Sequence, residues 1–115
     1  MLPNRDYAYI RLMIDSSKKA RKFIHGKNRL DIETDEVLAL ALEHLIELAG
    51  EAASNVSIEF RSKHPEIPWE SIIGIRERIA HKYVNVNLNI IWSIVAKDLP
   101  SLIGQLEKLS GEEAG

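Results

Sequence analysis

The segment GIRERIAHKY, residues 74–83, places an arginine, a histidine and a tyrosine inside a helical pattern of apolar residues. Read as one helix from Trp69, its apolar face collects four residues that are three, four or seven positions apart: Trp69, Ile72, Ile79 and Tyr83. Arg76 falls on that face, where a guanidinium requires a polar partner. His81 lies about 140° round the helix from Arg76 and ~7.5 Å along it, which is too far for an adjacent-turn pair. We expect the two to converge through a distorted helix end or a second copy of the chain.

The composition is that of one small globular domain. Of the 115 residues, 45% are hydrophobic and 28% are charged, as in ordinary folded proteins rather than disordered ones. We expect one helical domain over residues 1–110 and a frayed tail over residues 111–115. The chain has no cysteine, no signal-like start and no run approaching ~18 apolar residues. The sequence therefore predicts a cytoplasmic protein without disulfides or membrane contact.

Charge is distributed unevenly along the chain. The net charge of −2 argues against a protein that coats nucleic acid. Six basic residues nevertheless lie close together without an acid between them: Lys18, Lys19, Arg21, Lys22, Lys27 and Arg29. They form either a patch that binds phosphate or the solvated face of a helix end.

Periodicity and capping signals predict an all-α fold. The class is an antiparallel four-helix bundle with an extra short helix. The first helix is expected over residues 6–24, with Asn4 or Asp6 as its N-cap and Gly26 in the turn that follows. A second, central helix runs from Asp31 or Thr34 to about Val56. Its polar edge carries Glu43, Glu47 and Glu51.

The second half of the chain is divided by prolines and asparagines. A short helix is expected over residues 57–63, and the helix that begins at Trp69 ends near Tyr83. Asn87 is the predicted N-cap of the last helix, and Pro100 produces either a kink or a new helix capped by Asp98. This last helix carries a packing seam of seven residues: Leu88, Trp92, Val95, Leu99, Leu102, Leu106 and Leu109.

The residue types available restrict the possible chemistry. The four histidines form no His-x-x-x-His pair and the glycines form no phosphate-binding loop, so we predict neither a metal site nor a cofactor. A histidine beside arginines is the minimal set for acid/base cleavage of a phosphodiester. RNA supplies its own nucleophile, the 2′-hydroxyl, and needs no metal for such cleavage.

The pattern Arg76-x-x-x-x-His81-x-Tyr83 resembles the motif of the HepT-like ribonuclease toxins, members of the HEPN superfamily of helical bundles. Further segments match that family in order and spacing: GEAA (50–53), PEIPW (65–69), GIR (74–76), VN (86–87), IW (91–92) and DLP (98–100). The resemblance covers roughly the whole chain and is most specific from Pro65 to Pro100. Glu77 departs from it, because relatives usually place Asn or Asp after the arginine.

The resemblance implies a homodimer that cleaves RNA without a metal, the toxin of a type II toxin–antitoxin pair. It implies Arg76 and His81 as catalytic residues from both chains in one cleft. Tyr83, Glu77 and Glu51 would be supporting residues. Arg78 and Lys82 are candidates for RNA binding, although an exposed helical arginine is the simpler interpretation of Arg78. A nucleotidyltransferase antitoxin (MntA-like) is the implied partner, and in this family it can transfer AMP to the tyrosine of the motif, here Tyr83.

Two other hypotheses remain open from the sequence. The first is an inactive HEPN dimer that serves only as the binding partner of a nucleotidyltransferase, and the longer side chain of Glu77 is its basis. The second is a helical dimerisation domain in which the polar triad forms a buried salt-bridge network. An arginine five residues before a histidine is by itself a weak signal, since it occurs by chance in many helical proteins.

Overall fold

The computed structural model describes residues 4–79 and 87–114, and the predicted all-α class is confirmed. This part of the chain contains no strand. It forms eight α-helices and one π-helical turn: α1 (Asn4–Phe23), α2 (Asp31–Thr34), α3 (Glu36–Asn55), α4 (Ile58–Lys63), α5 (Trp69–Ile73), α6 (Ile75–Ile79), α7 (Leu88–Ser93), the π-helix Ile94–Asp98 and α8 (Leu99–Ala114). No helix in these two ranges combines the length and apolarity needed to cross a bilayer.

Helix α3 is the element on which the others assemble, as its apolar stripe predicts. It contacts α1, α2, α5, α6 and α7, and its buried face is wide: Leu38, Ala39, Leu42, Leu45, Ile46, Ala49, Gly50, Ala52 and Ala53. A stripe of this width can hold neighbours on more than one side. Helix α1 therefore packs on one part of α3 while α5 and α6 pack on another.

The start of α3 differs from the prediction. Asp35 is its N-cap, and its Oδ1 accepts a hydrogen bond of 3.0 Å from the backbone N–H of Leu38. Residues Asp31–Thr34, expected to open this helix, form the separate short helix α2. Asp35 has extended dihedral angles that end α2 and allow α3 to start in a new direction.

Asp6 is a tether between helices rather than an N-cap of α1. Its buried carboxylate accepts hydrogen bonds from the backbone N–H of Ser57 at 2.8 Å and from the Ser57 hydroxyl at 2.7 Å. The Ser57 Oγ in turn accepts from the N–H of Phe60 and caps α4. One carboxylate therefore fixes the α3–α4 junction to the first turn of α1.

Gly50 allows α5 to approach α3 closely. A Cβ at this position would lie 2.7 Å from the carbonyl oxygen of Ile72 and 3.0 Å from Cγ2 of Ile75. The first of these atoms is backbone, which cannot rotate away as a side chain can. A Cβ at Gly74 would meet only the carbonyl oxygen of Glu70, 3.2 Å away in the preceding helical turn.

The helix predicted over Trp69–Tyr83 is interrupted at Gly74. The N–H of Gly74 donates to the carbonyl of Glu70 at 2.9 Å and closes α5. The carbonyl of Gly74 then accepts from the N–H groups of Glu77 and Arg78 in α6. Helix α5 buries Trp69 and Ile72, and helix α6 buries Ile75 and Ile79.

Pro100 is accommodated by the π-helix Ile94–Asp98, and no new helix capped by Asp98 forms. The N–H of Leu99 donates to the carbonyl of Ile94, five residues back, so the helical backbone is widened just before the proline. A proline lacks an N–H and crowds the carbonyl four residues earlier, and a wider turn relieves both problems. The N-cap at Asn87 is confirmed, and α8 extends through the predicted tail as far as Ala114.

Replacement of Asp6 by alanine should lower the free energy of unfolding by about 2–4 kcal/mol. Two hydrogen bonds to a charged group are lost, and the donors of Ser57 are left without their partner. Urea denaturation monitored by circular dichroism measures the change. The exposed Asp15 on the same helix provides the control, since Asp15→Ala should change the value by less than ~0.5 kcal/mol. Equal effects of the two substitutions would contradict the tether.

Gly50→Ala should destabilise the protein by about 1–3 kcal/mol, because the added methyl group forces α5 away from α3. The matched variant is Gly104→Ala, whose new Cβ meets no atom within 4 Å. That substitution should leave stability unchanged or raise it by up to ~1 kcal/mol, through helix propensity alone. Thermal unfolding of the two variants measures both changes in stability. Stabilisation by Gly50→Ala would show that the helices are not held at this distance.

Candidate functional site

The candidate site is a cleft between the second half of α3 and the start of α6. Its volume is about 350 Å³, and it is lined by seven residues: Glu47, Gly50, Glu51, Ser54, Ile73, Ile75 and Arg76. Gly50, where α5 lies close to α3, is one of these lining residues. The cleft thus depends directly on the packing of α5 and α6 against α3.

Arg76 lies on the open side of this cleft, and the prediction that it shares the apolar face is wrong. Its side chain is 83% exposed. Ile75 and Ile79, four residues apart, are the buried residues of α6, and Arg76 follows Ile75 by about 100°. Arg76 is also not part of a buried salt-bridge network.

The partner of Arg76 is Glu47. Nε of the arginine lies 3.7 Å from Oε1 of the glutamate, whose side chain is 28% exposed. Burial raises the pKa of the neighbouring Glu43, as do a hydrogen bond to Glu47 and the charge of Glu47. Two carboxyl groups one helical turn apart disfavour full ionisation of both. The carboxyl group that meets Arg76 therefore interacts with a second carboxyl group, that of Glu43.

Glu47 was not among the site residues predicted from sequence, although it was placed on the polar edge of α3. Glu51, the predicted residue, is exposed and lines the same cleft one turn further on. Both glutamates therefore face the site, and Glu47 makes the contact with Arg76. The spacing of four residues was the available signal, because it puts the two carboxylates on one face.

Glu77 and Arg78 follow Arg76 on α6. Glu77 is exposed. Nη1 of Arg78 donates to the hydroxyl of Ser71 at 3.1 Å, and its Nη2 lies 3.9 Å from Oδ2 of Asp98. Positions 76 and 78 are about 200° apart on a helix, so Arg78 connects α6 to α5 and to the π-helix while Arg76 faces the cleft.

His81, Lys82 and Tyr83 lie outside the described residues. The residues on either side of this segment are joined, because the backbone N–H of Asn87 donates to the carbonyl of Ile79 at 2.6 Å. The segment that carries the three predicted residues consequently leaves and rejoins the fold at one point, at the end of α6. That point is less than one helical turn beyond Arg76.

The basic residues between Lys18 and Arg29 do not act together as one site. Three of them link helices: Lys18 pairs with Glu107 at 2.6 Å, Arg21 donates to the carbonyl of Val95 at 3.3 Å, and Arg29 donates to Asn89 at 2.8 Å. These contacts favour the structural interpretation of the cluster. In residues 5–79 and 87–111, no group of three His, Asp or Glu residues is arranged to hold a metal ion.

The arrangement can recognise an anion with directional hydrogen bonds. An exposed guanidinium offers a planar pair of terminal nitrogens that matches the oxygens of a phosphate. The glutamates on α3 disfavour any second anion in the same space. The described half of the site therefore provides one cationic phosphate contact in an otherwise acidic cleft.

Comparison with known proteins places these features in a family. The family described as Ribonuclease HepT-like matches residues 13–109. A protein of Caldanaerobacter subterraneus subsp. tengcongensis named a "putative RNase" is 39% identical over 90 residues, which are 78% of this chain and 80% of that protein. A "probable ribonuclease HepT" of Thermococcus cleftensis is 37% identical over 79 residues, 69% of this chain and 72% of that protein. No solved structure matches the chain.

The family match and these relatives define the class of this helical bundle as a ribonuclease. The chain belongs to the ribonuclease HepT-like family, whose model covers both helices of the cleft and the segment between residues 79 and 87. The resemblance inferred from the sequence motif is thereby confirmed.

Proposed function

We propose that the protein is a metal-independent endoribonuclease toxin of a type II toxin–antitoxin pair. The observation that carries the proposal is the exposed guanidinium of Arg76, in a cleft next to the point where the His81 segment joins α6. Family membership supports RNA as the substrate. Arg76 would bind the phosphate, and His81 would transfer protons.

The reaction needs two proton transfers. The 2′-hydroxyl loses a proton as its oxygen bonds to phosphorus, and the 5′-oxygen gains a proton as its bond to phosphorus breaks. A single imidazole performs these steps in succession, whereas two imidazoles perform them together. Both could come from His81 if two copies of the chain share one cleft. The guanidinium of Arg76 would offset the negative charge that develops on the phosphate oxygens.

An exposed apolar face of α3 supports the dimer. The side chains of Val37 and Leu40 are 78% and 56% exposed, and the half-buried Ala41 and Leu48 lie on the same side of the helix. Their spacings of three, four and seven residues place them on one side of the helix, with the exposed His44 between Ala41 and Leu48. The stripe ends near the candidate site, since Leu48 lies three residues before Glu51, which lines the cleft. A second copy packed here in an isologous contact would cover the stripe and form a second wall of the cleft.

We further propose a nucleotidyltransferase antitoxin as the partner, with Tyr83 as the acceptor of AMP. An AMP group close to Arg76 would supply a phosphate to the same guanidinium that RNA requires. Modification would therefore inhibit cleavage by competition for charge as well as by bulk.

Cleavage of a single-stranded RNA should be retained in EDTA and should fall about 10²–10⁴-fold in His81→Ala. Arg76→Ala should fall about 10²–10³-fold through loss of charge stabilisation. Arg11→Ala is the control and should cleave RNA at the wild-type rate. Arg11 is an exposed arginine on α1 that hydrogen-bonds Tyr7. Circular dichroism verifies that all variants keep their helicity. If the wild-type protein leaves RNA intact, the proposed function is wrong and a binding role beside the nucleotidyltransferase is favoured.

Val37→Glu should convert the dimer to a monomer and reduce cleavage, because a charge is placed in the apolar stripe. Ile58→Glu is the matched control, since Ile58 on α4 is 74% exposed and lies away from that stripe. Light scattering coupled to size-exclusion chromatography gives the mass of each variant. A Val37→Glu protein that remains dimeric would place the dimer contact elsewhere.

A further inference from the structure

Glu47 has no role in the motif that identifies the family, yet its carboxylate is the group that meets Arg76. The two side chains of the pair differ in their exposure to solvent. The glutamate side chain is largely buried in the wall of the cleft, while the arginine extends into the open. The more buried glutamate has fewer positions open to it than the exposed arginine. Glu47 therefore biases the orientation of Arg76 more than the reverse.

The atom through which the contact is made determines its consequence. Glu47 approaches Nε, the nitrogen at the base of the guanidinium, at 3.7 Å. The two terminal nitrogens form the opposite edge of the planar group and are the usual pair for bidentate binding of phosphate. At 3.7 Å the contact is an ion pair without a hydrogen bond, and it attracts the guanidinium from the Nε side without occupying the terminal edge.

Two further features strengthen this arrangement. Glu43 lies one turn earlier on α3, and its carboxyl group interacts with that of Glu47. Gly50 lies three residues after Glu47, so the close approach of α5 fixes the distance from the glutamate to the start of α6. Glu47 and the backbone of Arg76 are consequently held by the same contact between helices.

We infer that Glu47 is a positioning residue, which orients the guanidinium of Arg76 through Nε so that its terminal nitrogens can receive the scissile phosphate. This inference rests on the proposed ribonuclease function. Exposed ion pairs are weak and easily exchanged, so Glu47 steers the arginine without competing strongly with RNA.

The test is Glu47→Gln, which keeps the shape of the side chain and removes its charge. With the single-stranded RNA substrate, kcat should fall about tenfold, because misplacement of a group in the site costs up to ~10²-fold. KM should stay unchanged or fall, since an anion near the phosphate is removed. Glu59→Gln is the matched control, because Glu59 is an exposed glutamate on α4 that pairs with Lys63. It should leave both constants unchanged.

A second measurement separates this inference from the function itself. The Nε–Hε signal of Arg76 in a ¹⁵N-correlated NMR spectrum, assigned by its loss in Arg76→Lys, should shift in Glu47→Gln, because the charge beside Nε is removed. It should not change in Glu59→Gln. An unchanged Arg76 signal, or an unchanged kcat in an active protein, overturns the positioning role. If the wild-type protein does not cleave RNA but the Arg76 signal shifts as expected, the pairing of Glu47 with Arg76 stands while the proposed function fails.

Discussion

The contact between Gly50 and the carbonyl of Ile72 is the constraint on which the rest of the structure depends. It lets the backbone of α5 lie against α3 at a distance that no side chain would permit. Because α6 follows α5 after a single residue, the same contact fixes where the candidate site begins. Stability and site geometry therefore share one position, and a larger residue there disturbs both.

The short helix α6 has residues that attach it to the fold and a different residue that faces the cleft. Ile75 and Ile79 attach it to the core, Arg78 connects it to Ser71 and Asp98, and Arg76 faces the cleft. The contacts of Arg78 restrain the helix against rotation about its axis. Arg76 can then remain exposed and still be presented in one direction, which a ligand-binding cation requires.

The sequence allowed much of the fold to be predicted, because caps and apolar periodicity are local signals. The asparagine cap at Asn87 and the buried residues of the last helix were found in this way. The side of α6 on which Arg76 lies was predicted wrongly. The sequence pattern did not indicate a helix end at Gly74, and the position of α5 depends on the contact with Gly50, which is distant in sequence. Glu47 was missed for a related reason, since Glu51 is equally well placed on α3 until the position of α6 is known.

The hydrogen bond between Ile79 and Asn87 links two helices through residues that are eight positions apart in the sequence. Its acceptor is the last residue of α6 and its donor is the residue before α7, and the two helices also pack against each other. Because α6 carries Arg76, a displacement of α7 would be transmitted to the candidate cleft, although no residue of α7 lines it.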